Sequence, residues 1–347
     1  MQEPVLDLLG NPTPTQSELV CPDHSVLASR HHRRGWSTFL RWGRRFADHP
    51  LTFGARGARN KTDSLRDTLE SVTLEPRDRW IRAAAGWEQR ADQFERDTLP
   101  VSAWMVEAIA PQPGHTVLDL AAGIGDTGYL AAELIKPNGT LITSDFVPEM
   151  LSAAQRRAEK KGIKNVRFRQ MDMNVPLDQP AASVDGVLGR WAFMLVNDGE
   201  AALREARRIL KPDGKVALAA WTDAEENLWS SAPVKALRKH GALEPDPPGP
   251  GQFHWASPHL IEENLANAGF LEIQIEAIEF HMRYENFDDW WTAVTLTSTR
   301  IGDADRAMDF ATRSDVLAEL EPIAERFEQP DGSIHIPART WVAAATA

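Results

Sequence analysis

Cysteine is nearly absent: Cys21 is the only one in 347 residues. A single thiol excludes an internal disulfide, a thiolate metal cluster and a paired redox motif, and it fits a reducing cytoplasm. Long apolar runs are also missing. No stretch approaches the roughly 18 apolar residues needed to cross a bilayer, and no basic segment followed by an apolar core marks a secretory signal. Stable membrane insertion is therefore not expected. Net basic charge is lacking too. With Lys+Arg 38 and Asp+Glu 50 the formal charge is −12, which argues against a nucleic-acid-binding surface. Helical-array repeats are absent, and no residue cluster suggests a metal site.

Hydrophobic content of 42% and charged content of 25% are ordinary for a globular protein. Charge is uneven along the chain. Residues 30–61 hold nine basic residues and one acidic residue, Asp48, a local +8 that leaves −20 for the remainder. Residues 1–70 lack sustained periodicity, and they read as a disordered basic N-terminal extension, with a short basic amphipathic helix as the other reading. Order is expected from about residue 77, with two helices within 77–110. Trp80, Ala84, Trp87, Ala91 and Phe94 share one helical face, Pro100 ends the first helix, and Pro111 and Pro113 close the second.

Residues 117–132, VLDLAAGIGDTGYLAA, organise the rest of the chain. A short apolar run ends at Asp119, a small-residue turn holds Ala121, Gly123 and Gly125, and a helix begins near Asp126. Glycine lets a backbone approach a ligand closely, and the free amides and dipole of a helix start favour an anionic group. GIGDTG fits the GxGxxG dinucleotide fingerprint, with Asp145 at the expected distance for a ribose. S-adenosylmethionine (SAM), whose ribose also needs an acid, fits the same architecture. The carboxylate of Asp119 separates the two, since it suits a cationic amino group and repels a pyrophosphate.

Strands and helices then alternate: strands at 115–120, 140–145, 165–170, 184–189 and 215–221, and helices at 126–136, 148–161 and 200–210. Residues 211–214 make a turn. This alternation predicts a doubly wound α/β sheet. Residues 222–256 form a proline-rich insertion without regular structure, Ser257 caps a helix that starts at Pro258, and 271–278 and 334–345 alternate as late strands. A second insertion, 286–330, contains a helix near 316–327.

In motif order and spacing the chain resembles class I SAM-dependent methyltransferases, nearest to the ubiquinone/menaquinone C-methyltransferase-like and small-molecule methyltransferase group. The resemblance runs from about residue 87 and is carried by VLDLAAGIGD (117–126), SDFVPEML (144–151), RQMDMN with Asp172, DGVLGRWAFMLVND (185–198) and ALREARRILKPDGKVALAAW (202–221). It implies a Rossmann-like sheet of seven strands, mostly parallel with the last antiparallel, helices on both faces, and one domain over 77–347 with cap insertions at 222–256 and 286–330. It further implies SAM as cofactor and a small-molecule methyl acceptor, such as a quinone precursor or another aromatic metabolite, with a homodimer left open.

On that resemblance Asp119, Ala121, Gly123 and Gly125 seat the methionine end, and Asp145 accepts the ribose hydroxyls. Phe146 and Met150 pack the adenine, beside Asp172 and Met173, and Gly128 is only a small helix residue. Arg190 and Trp191, at the end of the fourth strand, face the transfer site, Arg190 either binding an acceptor oxygen or pairing with a carboxylate. His254 is the candidate base. The remaining alternatives are an NAD(P)-dependent oxidoreductase and a SAM-fold binding protein without catalysis.

Overall fold

The computed structural model describes residues 76–246 and 249–347. The basic extension expected over 1–70 lies outside the described residues. Seven strands form one sheet in the order β3-β2-β1-β4-β5-β7-β6, comprising β1 Thr116–Asp119, β2 Thr140–Asp145, β3 Val166–Gln170, β4 Val184–Arg190, β5 Leu210–Trp221, β6 Leu271–Tyr284 and β7 Ile334–Thr346. The first five pair in parallel. β7 runs antiparallel between β5 and β6, so six strands share one direction and only the last opposes them, as the resemblance implied.

The chain steps outward from β1 through β2 to β3, then crosses back to β4 and β5. Right-handed crossovers in opposite directions put the connecting helices on opposite faces. They also leave a crevice where the order reverses, between the carboxyl ends of β1 and β4. The connecting helices are α3 Asp126–Leu134, α4 Pro148–Lys161 and α5 Gly199–Ile209. α5 shows why such segments fold here: Asp198 accepts the Ala201 N–H as its N-cap, and Ala202, Leu203, Ala206 and Ile209 form its buried stripe. The central strands are apolar on both faces, with Val117, Leu118, Leu141, Val187, Leu188, Val216 and Leu218 all without solvent exposure.

Several local expectations are corrected. The first helical break falls at Arg90, not Pro100: α1 is Pro76–Gln89 and α2 is Ala91–Ala108 with Pro100 inside it. Pro100 sits on the exposed side of α2, while Phe94, Asp97, Thr98, Val101, Ser102 and Met105 anchor the buried side. Packing on both flanks outweighs the one lost helix bond. The proline-rich insertion contains a regular helix, α6 Leu228–Lys239, with Pro233 inside it and Pro245 and Pro250 in the loop that follows. Ser257 occupies the N-cap of α7, Pro258–Asn267, but its side chain makes no cap bond, and Pro258 sets the start. The expected turn at 211–214 lies within β5 as a bulge, where pairing jumps from Val184↔Leu210 to Gly186↔Lys215. The second insertion is three helices, α8 Phe287–Thr297, α9 Thr299–Ala307 and α10 Phe310–Glu325. The late strands are longer than expected, and β7 extends beyond the end of β5, since Trp221 pairs with Thr340.

Candidate active site

The turn after β1 is wired to its neighbours before any ligand is considered. Leu120 N–H donates to Leu188 O, Ala122 N–H donates to Ser144 O, and Ser144 Oγ donates to Asp119 O. Ala121, Gly123 and Gly125 adopt φ of +47°, +55° and +93°. A side chain at Gly125 would meet the Tyr129 ring at 2.4 Å, so that glycine is required by packing. At Gly123 an added Cβ would have no neighbour within 4 Å. Open space therefore faces the backbone at the turn's apex.

Asp119 and Asp145 flank this turn at the ends of β1 and β2, and both are buried. Asp119 Oδ2 accepts the Gly128 N–H at 2.9 Å. A Cβ on Gly128 would lie 2.8 Å from that oxygen, so Gly128 is more than a small helix residue: its bare backbone lets the carboxylate reach the first turn of α3. Asp145 accepts Gly123 N–H and Val147 N–H, each at 2.9 Å, one on each oxygen. Burial pushes Asp119 up to about 7, against the nearby Arg190 charge. Burial likewise pushes Asp145 up to about 6, against the amides of Val147, Gly123 and Phe146. Two buried carboxylates held this way favour a positively charged or hydroxyl-bearing ligand.

Arg190 ends β4 in a dense set of contacts. Nη1 donates to Thr98 Oγ1 and to Ser102 Oγ (3.2 Å), and Nη2 donates to Asp126 Oδ2 at 3.2 Å. Its guanidinium also stands 4.8 Å from the Trp191 ring centre and 5.8 Å from that of Phe94. Of the two expectations for Arg190, the structure shows the pairing with a carboxylate. Trp191 is buried at φ +55°, a strained conformation for a bulky residue. It is held by an Nε1 bond to Thr340 Oγ1 at 2.9 Å and by stacking on Trp221, with centres 4.2 Å apart and planes 8° apart.

The other expected residues are more dispersed. Met150 packs with Ile124 and Val147 beneath α1, with Phe146, Trp80 and Trp87 against them. Asp172 Oδ1 accepts from the Asn174 backbone N–H at 2.8 Å and its Nδ2 at 2.9 Å, and Met173 is buried core. His254 is exposed. Its loop nevertheless docks beside β4: Gly251 N–H donates to Met194 O, and Trp255 stacks on Phe193.

Asp126 and Arg157 were missed. Asp126 is buried and accepts from Arg157 at 2.8 Å as well as from Arg190. Burial pushes its pKa up, and the two guanidiniums oppose that. Arg157 also pairs with Asp92 and Glu95, tying α4, α3, α2 and β4 together. The only sequence signal was an acid placed directly after the last glycine of the turn, facing a strand that ends in arginine.

Comparison with known proteins agrees with this geometry. Residues 111–243 match a family model described as a methyltransferase domain. Nocamycin O-methyltransferase of Saccharothrix syringae is 26% identical, over 50% of this chain and 66% of its own length. The ubiquinone/menaquinone biosynthesis C-methyltransferase of Cellvibrio japonicus is 33% identical, over 37% of this chain and 51% of its own. The chain thus spans about half to two thirds of the length of these curated relatives. Among solved structures, the YcgJ protein of Bacillus subtilis superposes with a TM-score of 0.46 at 21% identity, covering 71% of this chain and 97% of that one. The strand order, the acid-flanked glycine turn and the match of residues 111–243 to a methyltransferase-domain model all agree with the resemblance to class I SAM-dependent methyltransferases.

Proposed function

We propose that this protein transfers the methyl group of SAM to a small-molecule acceptor. One observation carries the reading: the segment that matches the methyltransferase family contains the whole acid-flanked turn and the strand ends around the crevice. The residues fit the cofactor. The apex at Gly123 opens onto free space, and a carboxylate has about four acceptor sites, so Asp119 and Asp145 retain capacity beyond their amide bonds. Asp119 would hold the amino group, and the backbone of Ala121, Gly123 and Gly125 the rest of the methionine end. Asp145 would hold the ribose hydroxyls. Phe146, Met150, Asp172 and Met173 would surround the adenine.

When bound, SAM supplies an activated methyl on a good leaving group. The protein's task is then mainly orientation, which can be worth about 7–11 kcal/mol. Arg190 and Trp191 form the wall at the end of β4. His254, carried on the loop docked beside them, takes a proton when the acceptor arrives protonated. The acceptor reading is a quinone precursor or another aromatic metabolite, supported by the indoles of Trp191, Trp221 and Trp229 clustered at the strand ends. Among the described residues no helix is long and apolar enough to cross a membrane, in keeping with a cytoplasmic enzyme, and a homodimer belongs to the same proposal.

Calorimetric titration with S-adenosylhomocysteine tests the seat. The expected affinity is micromolar, and Asp145→Ala is expected to weaken it at least tenfold, about 1.4 kcal/mol. Unchanged affinity in that variant would remove the ribose assignment. NADH binding without SAM binding would favour the oxidoreductase, and binding without turnover of labelled SAM in cell extracts would favour a non-catalytic protein.

A further inference from the structure

A second concave site lies away from the glycine turn. The first residues of β7 run past the end of β5 and pair with the end of β6, where Tyr284 faces Ile334, while Ile334 also bridges Glu328. Where this ribbon meets α2 it encloses a cavity of about 280 Å³, whose lining includes Arg90, Gln93, Arg96, Arg283, Ser333 and His335. Neither Asp119 nor Asp145 belongs to it.

Its charges are arranged unevenly. Arg90 is already matched by Asp289, with two bonds of 2.6 and 3.0 Å. Arg96 and Arg283, by contrast, converge on one carboxylate oxygen: Arg96 Nε lies 3.1 Å and Arg283 Nη1 lies 3.8 Å from Asp97 Oδ1. Through that shared atom the two nitrogens are within about 7 Å of each other, close enough for like charges to repel appreciably near a protein surface. The Asp97 side chain is fully buried and also accepts the Arg283 N–H at 2.9 Å. One carboxylate therefore serves two guanidiniums, whose side chains remain 56% and 47% exposed. Gln93 donates to the Arg283 carbonyl, fixing α2 to β6 and so the spacing of the pair. Across the cavity Ser333 Oγ and His335 Nε2 stand 3.2 Å apart, with the Ser333 hydroxyl donating to Asp331 Oδ1 at 2.7 Å. The remaining acid in the lining is Glu285, which is exposed.

We propose that this cleft binds a small oxyanion, a phosphate or carboxylate group, bridged between Arg96 and Arg283. Oxygens about 2.5 Å apart, each taking a charge-assisted bond of about 2.8 Å, span the separation of the two guanidiniums. The anion supplies the second negative charge that the pair of arginines lacks.

Titration calorimetry of the full chain with inorganic pyrophosphate, orthophosphate and citrate tests this. Saturable binding of at least one of the three is expected, weakened tenfold or more in Arg96→Ala/Arg283→Ala. Arg96→Gln keeps Arg283 beside Asp97 and guards against a folding defect; it is expected to weaken binding at least threefold with an unchanged melting temperature. Arg82→Ala/Arg156→Ala, exposed arginines elsewhere with the same charge change, is expected to bind like the parent. Preference for the phosphates over citrate assigns a phosphoryl ligand, and the reverse a carboxylate one. S-adenosylhomocysteine affinity is expected to be unchanged in every variant, which separates this site from the methyl-transfer reading. Absence of saturable binding of all three anions, or equal affinity in the parent and the Arg96/Arg283 variants, overturns the proposal.

Discussion

Replacing Gly128 with Ala sets two effects of opposite sign against each other. In a helix interior Ala is ordinarily favoured over Gly by about 1 kcal/mol. Here the new Cβ would sit 2.8 Å from Asp119 Oδ2, 3.0 Å from Leu141 Cδ1 and 3.2 Å from Asp119 Cβ. Both neighbours are buried, so neither can swing into solvent. Relief requires Asp119 to retreat from the Gly128 N–H, now 2.9 Å away. Losing that bond costs about 1.5–3 kcal/mol when the acceptor is charged. Subtracting the helix gain leaves a net loss of roughly 0.5–2 kcal/mol, read as a lower urea midpoint at unchanged slope. Because Asp119 moves, S-adenosylhomocysteine affinity is expected to fall about tenfold in the same variant. A raised midpoint with unchanged affinity would refute the reasoning, since it would mean that helix propensity alone governs the position.

Asp119 also sets a pH dependence. Its folded pKa of about 7 lies above the ordinary 3.8, so the folded state holds the proton more tightly, and its contribution to stability is lost as pH rises from about 4 through about 7. The upper bound is about 4 kcal/mol, from some three units at 1.36 kcal/mol each. Melting curves from pH 5 to 8.5 are expected to show a steeper decline between pH 5 and about 7 for the parent than for Asp119→Asn, and equal slopes would count against it. Asp126→Ala leaves Arg157 and Arg190 without their buried partner and is expected to cost about 3–5 kcal/mol in chemical denaturation; a loss under 1 kcal/mol would show that the network relaxes freely. His254→Ala is expected to lower kcat about 100-fold with little change in KM for an acceptor that must lose a proton, and turnover within twofold of the parent would remove His254 from the mechanism.

What could be read in advance was the part written in local periodicity. Alternating strands and helices, the turn after Asp119 and the acid at the end of β2 all follow from residues within a few positions of one another, and they came out in the expected places. Helix α6 was missed because nearby prolines outweighed a short helical pattern. The break at Arg90 was missed because Pro100 signals a stop only where packing does not hold the helix. The Asp126 cluster was hidden for a different reason. Its partners lie 31 and 64 residues away, and a lone charged residue at a helix start looks like surface until the topology buries it.

That cluster changes how Arg190 should be understood. Three of its five donors are committed, to Thr98, Ser102 and Asp126, which leaves little of the fork for an acceptor oxygen. Its charge, however, is the largest influence opposing burial at both Asp119 and Asp126. Without it, the Asp119 pKa would rise further and the carboxylate would spend more of its time neutral, unable to hold a cationic amino group. Phe94 and Trp191, packed around the guanidinium, shield that charge from water and so strengthen its effect on the turn. On the proposed reading Arg190 thus acts on the cofactor side of the crevice through the field it exerts, while Trp191 is buried, with Trp221 stacked on it and the Arg190 guanidinium against its ring.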